Sequence, residues 1–291
     1  MSWFTEYKKS LKMPEVEEFF DLFFYRPMAF LLVKIIYPTN ITPNQLSVAA
    51  IVVGIAAGFF YALGSPAYLT YGAILFMLHN IIDCSDGQLA RLKNNGSHMG
   101  RIIDGFADYL STGAVFIGLA IGYHDHGYHI AIWWLLIVLA GLSNLIQSAL
   151  VDHYTNRFLD YVLQRKSTFE EDFDSFKEEY NAIKGQPNKW RLRFMLGTYF
   201  RYSAFQNKLT GRVKGVRLFK ATPHDYYKMN KMAVRCWALI GPTSQVTVLI
   251  ICSLINRFDI FFWIIMGGFN AIAAIMWLTQ RNIDKAFKTA S

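Results

Sequence analysis

The sequence predicts an all-α polytopic membrane protein, with six transmembrane helices preceded by an N-terminal interfacial amphipathic helix. Three observations carry this. Of the 291 residues 53% are hydrophobic and only 17% are charged, against about 25% charged in ordinary soluble domains. The apolar residues collect in blocks near the ~20 residues that a helix needs to cross hydrocarbon. The alternation required of barrel strands is absent, and a helix satisfies its own backbone where no water can.

Six spans follow in order. They run from about Asn44 to Leu63, Leu69 to Arg91, Gly100 to Tyr123, Ile130 to Leu150, Met232 to Ile255 and Ile260 to Leu278. The chain divides accordingly into an N-terminal part (1–43), four spans with a polar motif (44–154), a polar insert (155–231) and two last spans with a tail (232–291). Before the first span, "PEVEEFFDLFFYRPMAFLLVKIIYP" mixes acids, aromatics and a proline. It is too interrupted to cross, and reads as a helix lying on the membrane surface. "TPNQLS" then starts the first span, with Thr42 as cap and Pro43 fixing φ.

Charge gives the orientation. Lys8, Lys9, Lys12, Arg26 and Lys34 precede span one; Arg91, Lys93 and Arg101 lie between spans two and three; Arg281, Lys285 and Lys288 follow span six. The opposite connections, "GSPAY", "HDHGYH" and "NRFD", hold only Arg257. The positive-inside rule puts both termini and the polar motif in the cytoplasm. The net charge of +8 suits an anionic surface or substrate. Nucleic acid is not an expected partner, because most basic residues flank apolar spans. The insert's basic–aromatic run, 188–220, reads as a solvated hairpin or a lipid-facing patch. Cys84, Cys236 and Cys252 form no CxxC pattern and are expected to be reduced. The N-terminus lacks the apolar core of a cleavable signal. His124, His126 and His129 read as a solvated loop, and so does His98.

The chemistry lies in "DCSDGQLARLKNNGSHMGRIIDGFADYL", residues 83 to 110. Asp83 and Asp86 are spaced i, i+3, and Asp104 and Asp108 i, i+4, so each pair shares a helix face. Gly87 and Ala90 lie on the first stripe and Gly100 on the second. The Asn-Asn-Gly turn between them predicts an antiparallel pair whose four carboxylates converge. Four such groups stay ionised only with positive charge among them, which Arg91 alone does not supply. Oxygen-only ligands suit Mg2+ or Mn2+, and two such ions can clamp a pyrophosphate. The small residues leave room beside the backbone, and Arg91 can fork onto a phosphate. A single DxxD is commonly a solvated cap, and a single small-xxx-small commonly packing. Here four acids, three small residues and an arginine agree in spacing beside membrane spans, where acids are functional by default.

Asp83-x-x-Asp86-Gly87-x-x-Ala90-Arg91, then eight residues, then Gly100-x-x-x-Asp104-x-x-x-Asp108 resembles the defining motif of the CDP-alcohol phosphotransferases. The six-span layout, the juxtamembrane helix and "TPN" extend the resemblance; the insert departs from it. The resemblance implies a homodimeric enzyme of phospholipid synthesis, in which an alcohol attacks a CDP-linked donor and CMP leaves. It implies a two-metal site on Asp83, Asp86, Asp104 and Asp108, with Asp108 also the general base. It implies nucleotide- and phosphate-facing positions at Gly87, Ala90, Arg91 and Gly100, with Asn44 a further candidate. Arg26-Pro27 with "ITPN" is similar to members handling inositol phosphates, and Arg101 is a candidate acceptor contact. The motif does not separate a CDP-diacylglycerol donor, which is favoured, from CDP-ethanolamine or CDP-choline donating to a lipid alcohol. Polyprenyl transferases also use paired acidic motifs, but in a denser cluster. A cation transporter would want its acids near the midplane on broken helices.

Overall fold

The protein's structure, a computed structural model, describes residues 3–11, 13–94, 98–122, 127–164 and 222–289, with residues 180, 181, 183, 193, 194, 196–198, 200 and 201 between them. Side chains at 3–4, 98–104, 106 and 287–289 lie outside the described set. Among the described residues the regular elements are all helical. They are α1 (Trp3–Ser10), a π-helical turn (Asp21–Tyr25) continuing into α2 (Arg26–Ile36), α3 (Pro43–Leu63), α4 (Pro66–Lys93), α5 (His98–Ile121) and α6 (Ile130–Val162). After the insert come α7 (Pro223–Ala238), α8 (Pro242–Leu254) and α9 (Phe258–Phe262), a π-helical stretch (Trp263–Phe269) and α10 (Asn270–Thr289).

Five described helical runs are long and apolar enough to cross a membrane: Pro43–Leu63, Pro66–Lys93, Ile130–Val162, Pro223–Leu254 and Phe258–Ala286. The expected third span coincides with α5, whose described apolar part, Ala107–Ile121, is shorter. The expected fifth span, Met232 to Ile255, is two helices, because the chain turns at Leu239–Gly241 and restarts at Pro242. A proline cannot continue the ladder of the helix before it, and fits the first turn of the next. The fourth helix runs on to Val162, past the expected end near Leu150. No cysteine among the described residues forms a disulfide.

The first transmembrane helix starts as its sequence requires. The Thr42 hydroxyl accepts from the Gln45 amide, and the Gln45 side chain accepts from the Thr42 amide at 2.9 Å. Gly64 ends it at φ 71°, a left-handed stop that glycine adopts without strain. α3 packs along both α4 and α5. Against α5 the helices touch backbone to backbone. A Cβ at Gly118 would stand 2.1 Å from the Gly58 carbonyl oxygen, and one at Gly122 2.1 Å from that of Tyr61. Small residues at such a crossing bring membrane helices into close van der Waals contact.

Polar bonds join the remaining helices inside the apolar body. The Tyr61 hydroxyl donates to Ser253 at 2.9 Å, and the Trp133 indole to the Leu119 carbonyl at 2.9 Å. Gln147 of α6 donates to the Ile265 carbonyl at 2.9 Å and to Asn270 at 2.7 Å. Ile265 lies in the π-helical stretch, where the changed ladder leaves carbonyls to be satisfied from outside.

The N-terminal segment exposes several apolar side chains and buries several charged ones. Phe19, Phe23, Leu31 and Ile35 are exposed, while Glu17, Glu18, Asp21 and Arg26 are buried. This fits an interfacial element whose outer face meets lipid. Arg26 pairs with Glu17 at 3.1 Å. Glu18 reaches the start of α8 and accepts from the amides of Thr243 (3.1 Å) and Ser244 (2.8 Å). Its carboxylate occupies the space where Gly241 lacks a side chain.

Two expectations follow for stability. Gly118→Ala must separate α3 from α5 and is expected to destabilise by about 1–3 kcal/mol, as overpacking does. Gly113→Ala, with nothing within 4 Å of the added carbon, should be neutral or slightly stabilising. Melting of both variants in one detergent checks this; equal melting temperatures would refute the close contact. Burial, joined by the charge of Asp21, pushes the Glu18 carboxyl up from 4.5 to about 8, against the pull of the two amides. A raised acid favours the folded state while it keeps its proton. The stabilisation is therefore full below 4.5 and lost as the pH rises through the interval to about 8. Melting against pH should show this decline in the native protein and a flatter profile in Glu18→Gln.

Candidate active site

α4 carries two polar faces at its C-terminal end. One bears Asp83, Asp86, Gly87 and Ala90. Asp86 is buried, Asp83 partly so. The Ser47 hydroxyl of α3 donates to Oδ2 of Asp86 in a short contact, which holds one carboxylate oxygen and the rotation of that side chain. Arg91 lies beside this face. Its two terminal nitrogens stand 3.5 Å from the point where Gly87 would carry a Cβ. A larger residue at 87 would press on the guanidinium.

The other face is bonded to the segment before α3. The Cys84 thiol donates to Asp21 at 3.6 Å, and Ser85 to the Ala29 carbonyl at 3.3 Å. Gln88 donates to the Arg26 carbonyl at 3.0 Å, and Arg91 Nε to the Ser10 carbonyl at 2.5 Å. Lys93 donates to the carbonyls of Thr39 (2.9 Å) and Ile41 (3.1 Å). Cys84, Ser85 and Gln88, between the motif's fixed positions, thus attach one side of the helix together with the fixed Arg91, and the acids and small residues lie toward the other. Burial works against the Arg26 charge. The acidic groups around it, Cys84, Glu17, Asp21 and Asp83, outweigh that and hold its pKa above the usual value. The N-terminal segment therefore places a cation near Asp83.

The second half of the motif lies on α5. Asp108 is exposed and stands one turn before buried Ser111, on the stripe that meets α3. Among the described residues each of the two motif helices packs chiefly along α3. Gly54 meets Ser111 and Tyr61 meets Gly118, so α3 and α5 run parallel with partners 57 positions apart. The same register brings Ser47 level with the backbone of position 104. Asp86, Ser47 and position 104 therefore share one level across the three helices. The side chains of Gly100, Arg101 and Asp104, like that of His98, lie outside the described residues. Ala90 is partly buried on α4, and Asn44 is exposed at the second position of α3.

Among the described residues no three His, Cys, Asp or Glu side chains gather as a metal cluster. The donor chemistry at hand is carboxylate and hydroxyl oxygen, which suits a hard divalent cation. His129 caps α6, its ring accepting from the Ala131 amide at 3.4 Å; His124 and His126 lie outside the described residues.

Sequence reasoning missed Ser47 and the inward acids of the N-terminal segment. A signal was present for each. Ser47 is a lone hydroxyl one turn into an apolar span, and Glu17, Glu18 and Asp21 fall at i, i+1 and i+4 in an aromatic-rich stretch that also carries Arg26.

Residues 40–157 match the family model described as CDP-alcohol phosphatidyltransferase. The chain is 27% identical over 139 residues to the phosphatidylinositol phosphate synthase of Corynebacterium glutamicum, covering 48% of this chain and 55% of that protein. It is 31% identical over 119 residues to the bifunctional IPC transferase and DIPP synthase of Thermococcus kodakarensis, covering 41% and 25%. It is 36% identical over 77 residues to the CDP-diacylglycerol–glycerol-3-phosphate 3-phosphatidyltransferase of Rickettsia bellii, covering 26% and 42%. The chain thus spans about half the length, or less, of these curated relatives. The matched region contains Asn44, both halves of the aspartate motif and the three helices that hold them. Over residues 40–157 this chain is thus similar to the CDP-alcohol phosphatidyltransferase family.

Proposed function

We propose that the protein transfers a phosphatidyl group from CDP-diacylglycerol to the hydroxyl of a polar alcohol, with inositol phosphate the favoured acceptor, and releases CMP. The observation that carries the reading is the α4 face itself. Two carboxylates, a side-chain-free position and an arginine fork stand together at the end of an apolar helical bundle. That is where a lipid-linked diphosphate has its tails in hydrocarbon and its charge in water. The relatives' printed names, phosphatidylinositol phosphate synthase among them, support the donor and the acceptor.

The chain's residues divide the work. Gly87 and Ala90 admit the donor close to the helix. Arg91 offers paired donors to its phosphate oxygens. Ser47 holds Asp86, so that carboxylate needs no reorientation when charge arrives. Asp108 takes the proton of the acceptor hydroxyl. The acceptor oxygen then bonds to the phosphorus that carries the diacylglycerol. The bond from that phosphorus to the bridging oxygen breaks, and the electron pair leaves with CMP. Asp83, Asp86, Asp104 and Asp108 would hold Mg2+ or Mn2+, which supplies charge neutralisation at the diphosphate. Arg101 and Asn44 are proposed contacts to acceptor and donor. The flanking charges support a cytoplasmic site with both termini on the same side, and a homodimer is proposed by likeness to the family.

The test is CMP release by purified protein in detergent with Mg2+ or Mn2+. One arm supplies CDP-diacylglycerol with inositol phosphate, glycerol phosphate or serine; the other supplies CDP-ethanolamine or CDP-choline with diacylglycerol or ceramide. Release in the first arm is expected. Release only in the second would reverse donor and acceptor, and silence in both would turn the acids into a cation site without transfer. Asp108→Asn should lower kcat by about 10²-fold or more, the scale of a lost general base, with unchanged melting; near-normal turnover would remove Asp108 from that role. A chelator should stop CMP release and either cation restore it, whereas turnover insensitive to chelation would exclude the metal.

A further inference from the structure

α1 ends against the motif. Its final residue, Ser10, is fully buried, and its carbonyl accepts from Nε of Arg91 at 2.5 Å. The Ser10 hydroxyl turns back to the Tyr7 carbonyl at 2.7 Å. Helix C-termini carry unsatisfied carbonyls and partial negative charge, which favour a cation there. Here the cation belongs to the motif.

Arg91 does not hold α1 in place unaided. Glu6 pairs with Lys34 of α2 at 2.6 Å. The Tyr7 ring packs edge-on against Phe30 at 5.2 Å, and its hydroxyl donates to the Leu22 carbonyl at 3.5 Å. These anchors lie on the N-terminal segment, so the Ser10 carbonyl reaches Arg91 from a frame that Arg91 does not set. A guanidinium is a planar fork with Nε–H on one edge and the terminal nitrogens beyond it. Fixing Nε therefore fixes the plane of the whole group. The terminal nitrogens then lie along Gly87, 3.5 Å from its missing Cβ.

We propose that α1 is a positioning element for the donor. The Ser10 carbonyl orients the Arg91 guanidinium so that its terminal nitrogens present to the diphosphate of a CDP-linked lipid bound along Gly87. This rests on the CDP-donor reading above. Ser10 is a positioning residue, acting through Arg91 and not on the reacting atoms. A lysine at 91 has one nitrogen and cannot meet the Ser10 carbonyl and a phosphate in the same geometry.

The test loosens α1 at its anchors and reads the KM for CDP-diacylglycerol in detergent. Tyr7→Ala and Glu6→Lys are each expected to raise it about fivefold, equivalent to about 1 kcal/mol at 1.4 kcal/mol per tenfold. The acceptor KM and kcat should change little. Glu6→Lys with Lys34→Glu restores the ion pair and should restore the donor KM. Placed on Arg91→Lys, Tyr7→Ala should weaken retention of CDP-diacylglycerol no further, because α1 then has no fork to orient. The proposal is overturned if both single variants leave the donor KM unchanged. It is equally overturned if Tyr7→Ala weakens binding as much with lysine at 91, since α1 would then be a structural support alone. Should Tyr7→Ala fail to fold, the exposed Glu6 and Lys34 variants decide the matter. A native protein that releases no CMP in any arm would take down the donor reading and this one together. An active native protein with an unchanged donor KM in the variants sinks only this one.

Discussion

Hydrogen bonds from Cys84, Ser85, Gln88, Arg91 and Lys93 to the segment before α3 set the rotation of α4 about its axis. A helix end with polar residues on every side has no preferred rotation from hydrophobicity alone. Buried polar groups need partners, and a lost partner costs the full desolvation of the group left behind. Meeting those demands on one side leaves Asp83, Asp86, Gly87 and Ala90 on the other. The orientation of the acidic face thus follows largely from Cys84, Ser85 and Gln88, which a motif description leaves blank, together with the motif's own Arg91.

α3 turns that oriented face into a site. It is the helix against which both motif helices pack, and it meets them by different means. Against α5 it uses the absence of side chains, at Gly58, Gly118 and Gly122, so the two backbones lock in register. Against α4 it adds a hydroxyl, Ser47, placed on Asp86. Backbone contact gives a register that flexible side chains do not, and the hydrogen bond ties a carboxylate to it. Relative placement of the two acidic pairs therefore depends on a helix that contributes no acid.

The sequence carried some of this openly. The capping box and Pro43 gave the start of α3, and the aspartate spacing gave the faces, because caps and helical periodicity are local. The break before Pro242 was less legible. Its cause is partly Glu18, more than two hundred residues away, whose carboxylate caps α8 and occupies the space at Gly241. Gln147 posed the same difficulty. One amide in a long apolar helix reads as tolerated polarity until Ile265 and Asn270 arrive from the other end of the chain. The direct pairing expected of α4 and α5 came from a turn signal, and the turn does not say which third helix will pack on both. In the site, the acids were legible from spacing, whereas Ser47 and the Ser10 carbonyl were not, since their meaning lies in the partner.

The N-terminal segment shows how a membrane surface inverts the usual pattern. A soluble amphipathic helix turns charge outward; here Phe23 and Ile35 face out while Glu17, Asp21 and Arg26 are buried. With lipid as the outer solvent, charged groups can be the ones turned inward. The segment adjoins the site that, on the proposed function, would accept the charged diphosphate of a lipid-anchored donor. The inward charges keep a polar lining under an apolar cover. α1 reaches Arg91, where its closing carbonyl meets the side chain that would hold the phosphate. One continuous segment thereby contacts lipid through its aromatics and the motif through its carbonyls, and so lies along the boundary that a lipid-linked nucleotide spans.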